Sequence, residues 1–154
     1  MNFTHLIDEL LEYQDERIVF VGIGNELRAD DGAGLKLVER LQSKKEFKNS
    51  HFILAERNPE NHLEEIISYN PQIVIFVDDT DWNGNAGDIK IFSDEEVSQA
   101  GFSTHTFSIK MIKDFLLNHQ KMDFMFIGIQ PLTTNFSEGL SPQVKTKLDE
   151  FFDD

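Results

Sequence analysis

The sequence predicts an α/β fold: a three-layer α/β/α sandwich around a five-stranded, mostly parallel sheet with one antiparallel strand. Three observations predict it. Short apolar runs such as Arg17–Val21 and Ile73–Val77 show no polar alternation, as expected of strands covered on both faces. Stretches with apolar residues at helical spacing alternate with these runs. The chain has 154 residues, which suits a single domain over 1–154.

In chain order, Leu6, Leu10, Leu11 and Tyr13 suggest a short amphipathic helix in an N-terminal extension, Met1 to Glu16. Arg17–Val21 is the first strand, closed by Gly22. Asp31 to Lys45 reads as a helix, with Leu35, Val38 and Leu41 on one face. His51–Ala55 is the second strand. Pro59 sits in the first turn of the next helix, which carries Leu63, Ile66 and Ile67. Asn70-Pro71 ends that helix, because a residue before proline avoids the helical region. Ile73–Val77 is the third strand. The turn-rich stretch Asp81 to Gly87 leads to a fourth strand, Asp88–Phe92. That connection has no room for a crossover helix, so one antiparallel neighbour is expected. Ser103 to Leu117 is a capped helix with Phe107, Met111 and Phe115 on one stripe, and Phe124–Ile129 is the fifth strand. Ser141-Pro142, an N-cap followed by proline, opens a last helix to about Phe152.

Composition excludes several functions. Lys and Arg number 14 against 28 Asp and Glu, a formal charge of −14. Phosphate backbones and anionic membrane surfaces call for the opposite sign, so neither nucleic acid nor membrane is an expected partner. With no cysteine, the chain offers no thiol nucleophile, disulfide, iron–sulfur ligand or cysteine zinc site. The N-terminus has no basic segment preceding an apolar one, and the apolar runs are of strand length. A cytoplasmic location is the expectation.

Parallel sheets work at the carboxyl ends of their strands. After strand one comes Gly22-Ile23-Gly24-Asn25-Glu26-Leu27-Arg28-Ala29-Asp30-Asp31-Gly32. The third glycine of a dinucleotide loop is replaced by Leu27, and a phosphate-loop lysine is missing. Asp30 and Asp31 would repel a pyrophosphate at that position. Asp78, Asp79 and Asp81 follow strand three, Gln130-Pro131 follows strand five, and His105 precedes a helix. Asp31, Asp78 and His105 come from three loops that should converge on one sheet edge. Two carboxylates and an imidazole make an N/O site for a divalent transition metal with positions left open. Each also has an ordinary reading: a cap for Asp30, a helix-dipole partner for Asp31, a turn residue for Asp78 and a surface residue for His105. Trp82 is either a contact residue or core. His5, His51, His62 and His119 fit no ligand or triad pattern.

The segment Gly22-Ile23-Gly24-Asn25 … Leu27-Arg28-Ala29-Asp30-Asp31-Gly32-Ala33-Gly34 resembles the opening signature of the NiFe-hydrogenase maturation endopeptidases. Ile75-Phe76-Val77-Asp78 resembles the second acidic position of that family, and Ser103-Thr104-His105 its histidine position. Ile127-Gly128-Ile129-Gln130-Pro131 and Gly139-Leu140-Ser141-Pro142 resemble its last strand and final helix cap. The likeness runs in order from about Arg17 to Glu150. It implies an enzyme that removes a C-terminal extension from a hydrogenase large-subunit precursor after nickel insertion. It further implies that Asp31, Asp78 and His105 bind nickel and carry catalysis. The first acidic position is Glu or Asp in the family, and here it is the shorter Asp31. The nickel is brought by the substrate, so the resting enzyme is expected to be metal-free and monomeric. Asn25, Asp30 and Gln130 are candidate substrate contacts. Three rivals remain: another hydrolase on a similar phosphorylase-like or peptidyl-tRNA-hydrolase-like layout, a non-proteolytic nickel-binding chaperone or sensor for hydrogenase assembly, and a structural domain with an incidental acidic rim.

Overall fold

The computed structural model describes residues 1–99 and 105–153, and the side chains of 1–97 and 109–153. Five strands form one sheet in the order β2-β1-β3-β5-β4. They are β1 (Ile18–Ile23), β2 (His51–Glu56), β3 (Ile73–Asp79), β4 (Ile89–Phe92) and β5 (Asp123–Ile129). β1 pairs in parallel with β2 and β3, β3 pairs in parallel with β5, and β4 runs antiparallel along β5. The expected antiparallel strand is therefore present, but its partner is β5 rather than β3, the strand before it. The connection from β3 crosses the end of β5, where Gly87 N–H donates to Gln130 C=O and Gln130 N–H to Asp88 C=O. From β1 the chain moves outward to β2, and β3 lies on the other side. The strand order thus reverses between β1 and β3, which opens a crevice at their carboxyl ends.

Helices are α1 (Phe3–Glu9), α2 (Ala33–Gln42), α3 (Leu63–Ser68), α4 (Asp94–Gln99), α5 (His105–His119) and α6 (Pro142–Phe151). Strand alternation divides the core in two. Ile18, Phe20, Ile73, Ile75, Val77, Ile127 and Ile129 face α1, α2 and α6. Val19, Val21, Ile23, Val74 and Phe76 face α3 and α5. These are the three predicted layers. The N-terminal extension belongs to the first core: Leu6 and Leu10 are buried, and the Phe3 ring meets Phe47, Phe151 and Phe152.

Several local expectations are adjusted. α2 begins at Ala33, because Ala29–Gly32 forms a tighter 3₁₀ turn that holds Asp31 just ahead of the helix. α1 ends at Glu9, before Leu11 and Tyr13. α4, which is short and acidic, follows β4 where no helix was expected. Ser141 stands at the N-cap of α6, yet its side chain makes no capping bond; its hydroxyl donates to Asp30 instead. Trp82 packs edge-on against Phe92 at 5.1 Å, which supports its reading as core.

Candidate active site

The crevice between β1 and β3 is built by a close approach of backbone. Gly34, in the first turn of α2, lies over the strand ends; a Cβ there would come within 2.6 Å of Val77 O and 2.8 Å of Ile23 O. Only glycine lets the helix start so near the sheet. At Gly24, φ is +149° and a Cβ would lie 2.0 Å from Asp31 O, so glycine is required twice over. The loop then folds on itself. Asn25 N–H donates to Asp31 C=O at 3.1 Å, and Asn25 Oδ1 accepts from Leu27 N–H at 3.0 Å. These bonds aim the Asp31 side chain at the end of β3.

Three carboxylates meet there. Asp31, Asp78 and Asp79 each offer an oxygen, and these oxygens lie within 4.8 Å of one another. Asp78 is 2% exposed, and its Oδ1 is buried with no hydrogen-bond partner among the described residues. The turn reading of Asp78 is met in part: Asp79 supplies a backbone hydrogen bond to the carboxyl, and Oδ1 is left over. Burial pushes the Asp78 carboxyl well above the usual carboxylate range, and the charge of Asp31 adds to the rise, while hydrogen bonds from Asp79 oppose it. Burial likewise pushes Asp79 far up, helped by a hydrogen bond to Asp31 and by the charge of Asp78. Among the described residues, no Lys, Arg or His nitrogen comes within 4.0 Å of any of the three. A neutral amide or a cation would relieve this crowding, and a divalent metal with open positions fits the donor set.

The other expected residues have different tasks. Asp30 is completely buried and faces the loop after β5. Its Oδ2 accepts from Leu132 N–H, Thr133 N–H and Ser141 Oγ–H, and its Oδ1 from Ser141 N–H at 2.7 Å. Asp30 therefore clamps loop 131–141 to the first loop, where a substrate contact had been expected, because its oxygens are already occupied. Gln130 is buried as well: its Oε1 accepts from Trp82 N–H and Gly84 N–H, and its Nε2 donates to Asp81 Oδ1. It fixes the turn after β3. Asn25 is half-buried and shapes the first loop. His105 opens α5, and its side chain lies outside the described residues. The remaining histidines are elsewhere: His51 stacks on Tyr69, while His5, His62 and His119 bond within their own helical turns.

Asp79 is the residue that sequence reasoning left aside. Strand alternation assigns Asp78 and Asp79 to opposite faces. At the last residues of β3, however, Asp31 arrives from the neighbouring loop within reach of both. The run Asp78-Asp79 was the available signal. On the loops around this edge, Leu27, Leu132 and Phe136 are exposed, the last by 80%, with the Arg28 guanidinium over the Phe136 ring at 5.1 Å. A groove of about 300 Å³ runs beside them, lined by Glu26, Leu27, Lys36, Glu138 and Leu140 among others.

A glycine-built crevice at the strand-order reversal, lined by converging carboxylates, is the candidate active site of a three-layer α/β fold. Comparison with known proteins narrows this class. The model of the HycI family, described as hydrogenase maturation protease, matches residues 35–153. A protein of Methanocaldococcus jannaschii described as a hydrogenase maturation protease is 30% identical over 94% of this chain and 88% of its own. The hydrogenase 3 maturation protease of Escherichia coli K12 is 27% identical over 87% of this chain and 85% of its own. The crystal structure of the NiFe-hydrogenase maturation protease HycI from Thermococcus kodakarensis superposes with a TM-score of 0.81 at 27% identity, covering 95% of this chain and 92% of that one. The chain belongs to the HycI hydrogenase maturation protease family.

Proposed function

We propose that this protein is an endopeptidase that removes the C-terminal extension of a NiFe-hydrogenase large-subunit precursor once nickel has been inserted. The observation that carries the reading is the buried, unpartnered Asp78 Oδ1, held beside Asp31 at the mouth of the crevice. Family membership supplies the reaction class. In this reading Asp31, Asp78 and His105 recognise the nickel centre of the precursor. With no cysteine of its own, the chain meets that metal with oxygen and nitrogen donors and does not compete through thiolates.

Docking on the metal would lay the scissile peptide along the edge of the sheet, an orientation effect. The charge of the docked metal favours the ionised form of Asp78, which then accepts a proton from the water that attacks the peptide carbonyl. Substrate-borne nickel supplies Lewis acidity at the same edge. Leu27, Leu132 and Phe136 give a protein-sized substrate an apolar rim to rest on. Asp30 and Gln130 act one step back, holding the loops that carry this rim.

The test is mass spectrometry of a large-subunit precursor from the same genome, nickel-loaded and nickel-free, with and without the protein. Loss of a C-terminal peptide from the nickel-loaded precursor alone is the expected result. A stable complex with an unshortened precursor would instead make the protein a nickel-dependent chaperone or sensor.

A further inference from the structure

We propose that the groove between α2 and α6 holds the C-terminal extension of the precursor as an extended peptide, with Arg40 and Lys145 meeting a carboxylate of that peptide. The inference deepens the endopeptidase reading and rests on it, since it gives a place to the segment that would be cut off.

Three observations carry it. The first is continuity. The groove of about 300 Å³ beside Leu27 reaches Lys36, Gly139 and Leu140, and these same residues line a second groove of about 350 Å³. Its near end is walled by Gly32, the residue after Asp31. Gly139 stands between the two grooves, and a Cβ there would meet no atom within 4 Å, so the passage is open. The second is length. From Gly32 to Arg40 the helix advances about 12 Å, the span of about four extended residues. The third is charge. Glu26 and Glu138 flank Lys36 in the near groove, whereas Lys36, Arg40 and Lys145 outnumber Asp149 in the far one. A basic end is unusual in a chain with a formal charge of −14. Lys145 has no ion-pair partner among the described residues. Arg40 is held by Asp149 at 2.7 Å and lies over the Phe152 ring at 4.5 Å. That ion pair leaves donors of the guanidinium for a second acceptor.

A C-terminal extension ends in an α-carboxylate and adds whatever acidic side chains it carries. The groove is acidic near the crevice, apolar along Leu140 and Leu148, and basic at its far end. That order suits a peptide that leads from the cut toward its own carboxyl terminus. The favoured substrate therefore has apolar residues after the cut and a carboxylate about four residues on. Contact so far from the scissile bond acts on KM and leaves the acids of the crevice untouched.

The experiment is fluorescence polarisation of a synthetic peptide against the full-length protein. The peptide spans the extension of the precursor from the same genome and is labelled at its amino end. Lys145→Glu is expected to bind it at least fivefold more weakly than wild type. Lys121→Glu makes the same change of charge between α5 and β5, at the opposite edge of the sheet, and is expected to stay within twofold. A peptide with all its carboxyl groups amidated should bind wild type at least fivefold more weakly and no longer distinguish it from Lys145→Glu. Loss on amidating the terminus alone assigns the α-carboxylate, and loss on amidating the side chains alone assigns an acidic side chain; either supports the groove. A wild type that does not bind the peptide, or equal weakening by Lys145→Glu and Lys121→Glu, overturns the proposal. Nuclear magnetic resonance of wild type needs no variant: the unlabelled peptide should shift the amides of residues 36–40 and 139–148 first. Shifts confined to other residues overturn it equally. Cleavage of nickel-loaded precursor by the same wild-type sample separates the two readings. Cleavage without peptide binding sinks the groove and leaves the endopeptidase, and peptide binding without cleavage does the reverse. Where both are seen, Lys145→Glu should raise KM at least fivefold at unchanged kcat, and an unchanged KM overturns the proposal.

Discussion

At the scale of single residues, the site is a set of carboxylates placed where their ionisation is opposed. Asp78 and Asp79 both titrate far above an unfolded aspartate. The folded chain therefore holds protons that the unfolded chain has lost once pH passes about 4. Stability of the metal-free protein should fall as pH rises from 5 to 8. Thermal melts at pH 5.5 and 8 should show the higher midpoint at pH 5.5, and Asp79→Asn should flatten the difference. A midpoint that rises with pH would refute the assignment. Asp31 and Asp78 were legible in the sequence because each closes or follows a strand at the working edge. Asp79 was not, because alternation sends it to the far face and only the tertiary approach of Asp31 brings it in. The clamp made by Asp30 was equally hidden, since its donors lie in the loop after β5.

At the scale of elements, glycine and buried hydrogen bonds decide how loops meet strands. A methyl group at position 34 would press on two backbone carbonyls that cannot yield separately. Gly34→Ala should therefore cost about 1–3 kcal/mol and push α2 off the sheet, as read by urea unfolding. Asp30→Ala removes the acceptor of three N–H groups and a hydroxyl. At about 1–3 kcal/mol for each buried donor left unpaired, the loss should reach several kcal/mol. Loop 131–141 should then become the first point of cleavage in limited proteolysis. Strands β1, β3 and β5 were readable as unalternating apolar runs. The pairing of β4 with β5 was not, because the length of a connection indicates direction but not which strand is met. Helix α4 has a strongly acidic first turn, Asp94 to Glu96, and lacks the apolar stripe that marks longer helices.

Over the whole molecule, the N-terminal extension is part of the fold. Leu6 and Leu10 are buried against the cluster that holds Phe47, Leu148 and Phe151, and Tyr13 Oη–H donates to Asp123 Oδ2 at 2.6 Å. At about 1.5–3 kcal/mol for each buried leucine, deletion of residues 1–13 should remove several kcal/mol and lower the melting midpoint. The sequence shows this segment's amphipathic pattern but gives no sign of which face it covers. In the proposed reading, the formal charge of −14 helps steer a metal-bearing substrate toward the chain.

The central claim is that Asp31 and Asp78 act as one site on a nickel-bearing precursor. The most direct measurement compares wild type with Asp31→Asn and Asp78→Asn. Each is incubated with nickel-loaded precursor, and the C-terminus is read by mass spectrometry over time. Each substitution keeps the shape of the side chain and removes its ability to ionise, so far-ultraviolet circular dichroism should stay unchanged. The account predicts at least about a 100-fold slower loss of the C-terminal peptide in both variants. Processing at the wild-type rate by either one would contradict it.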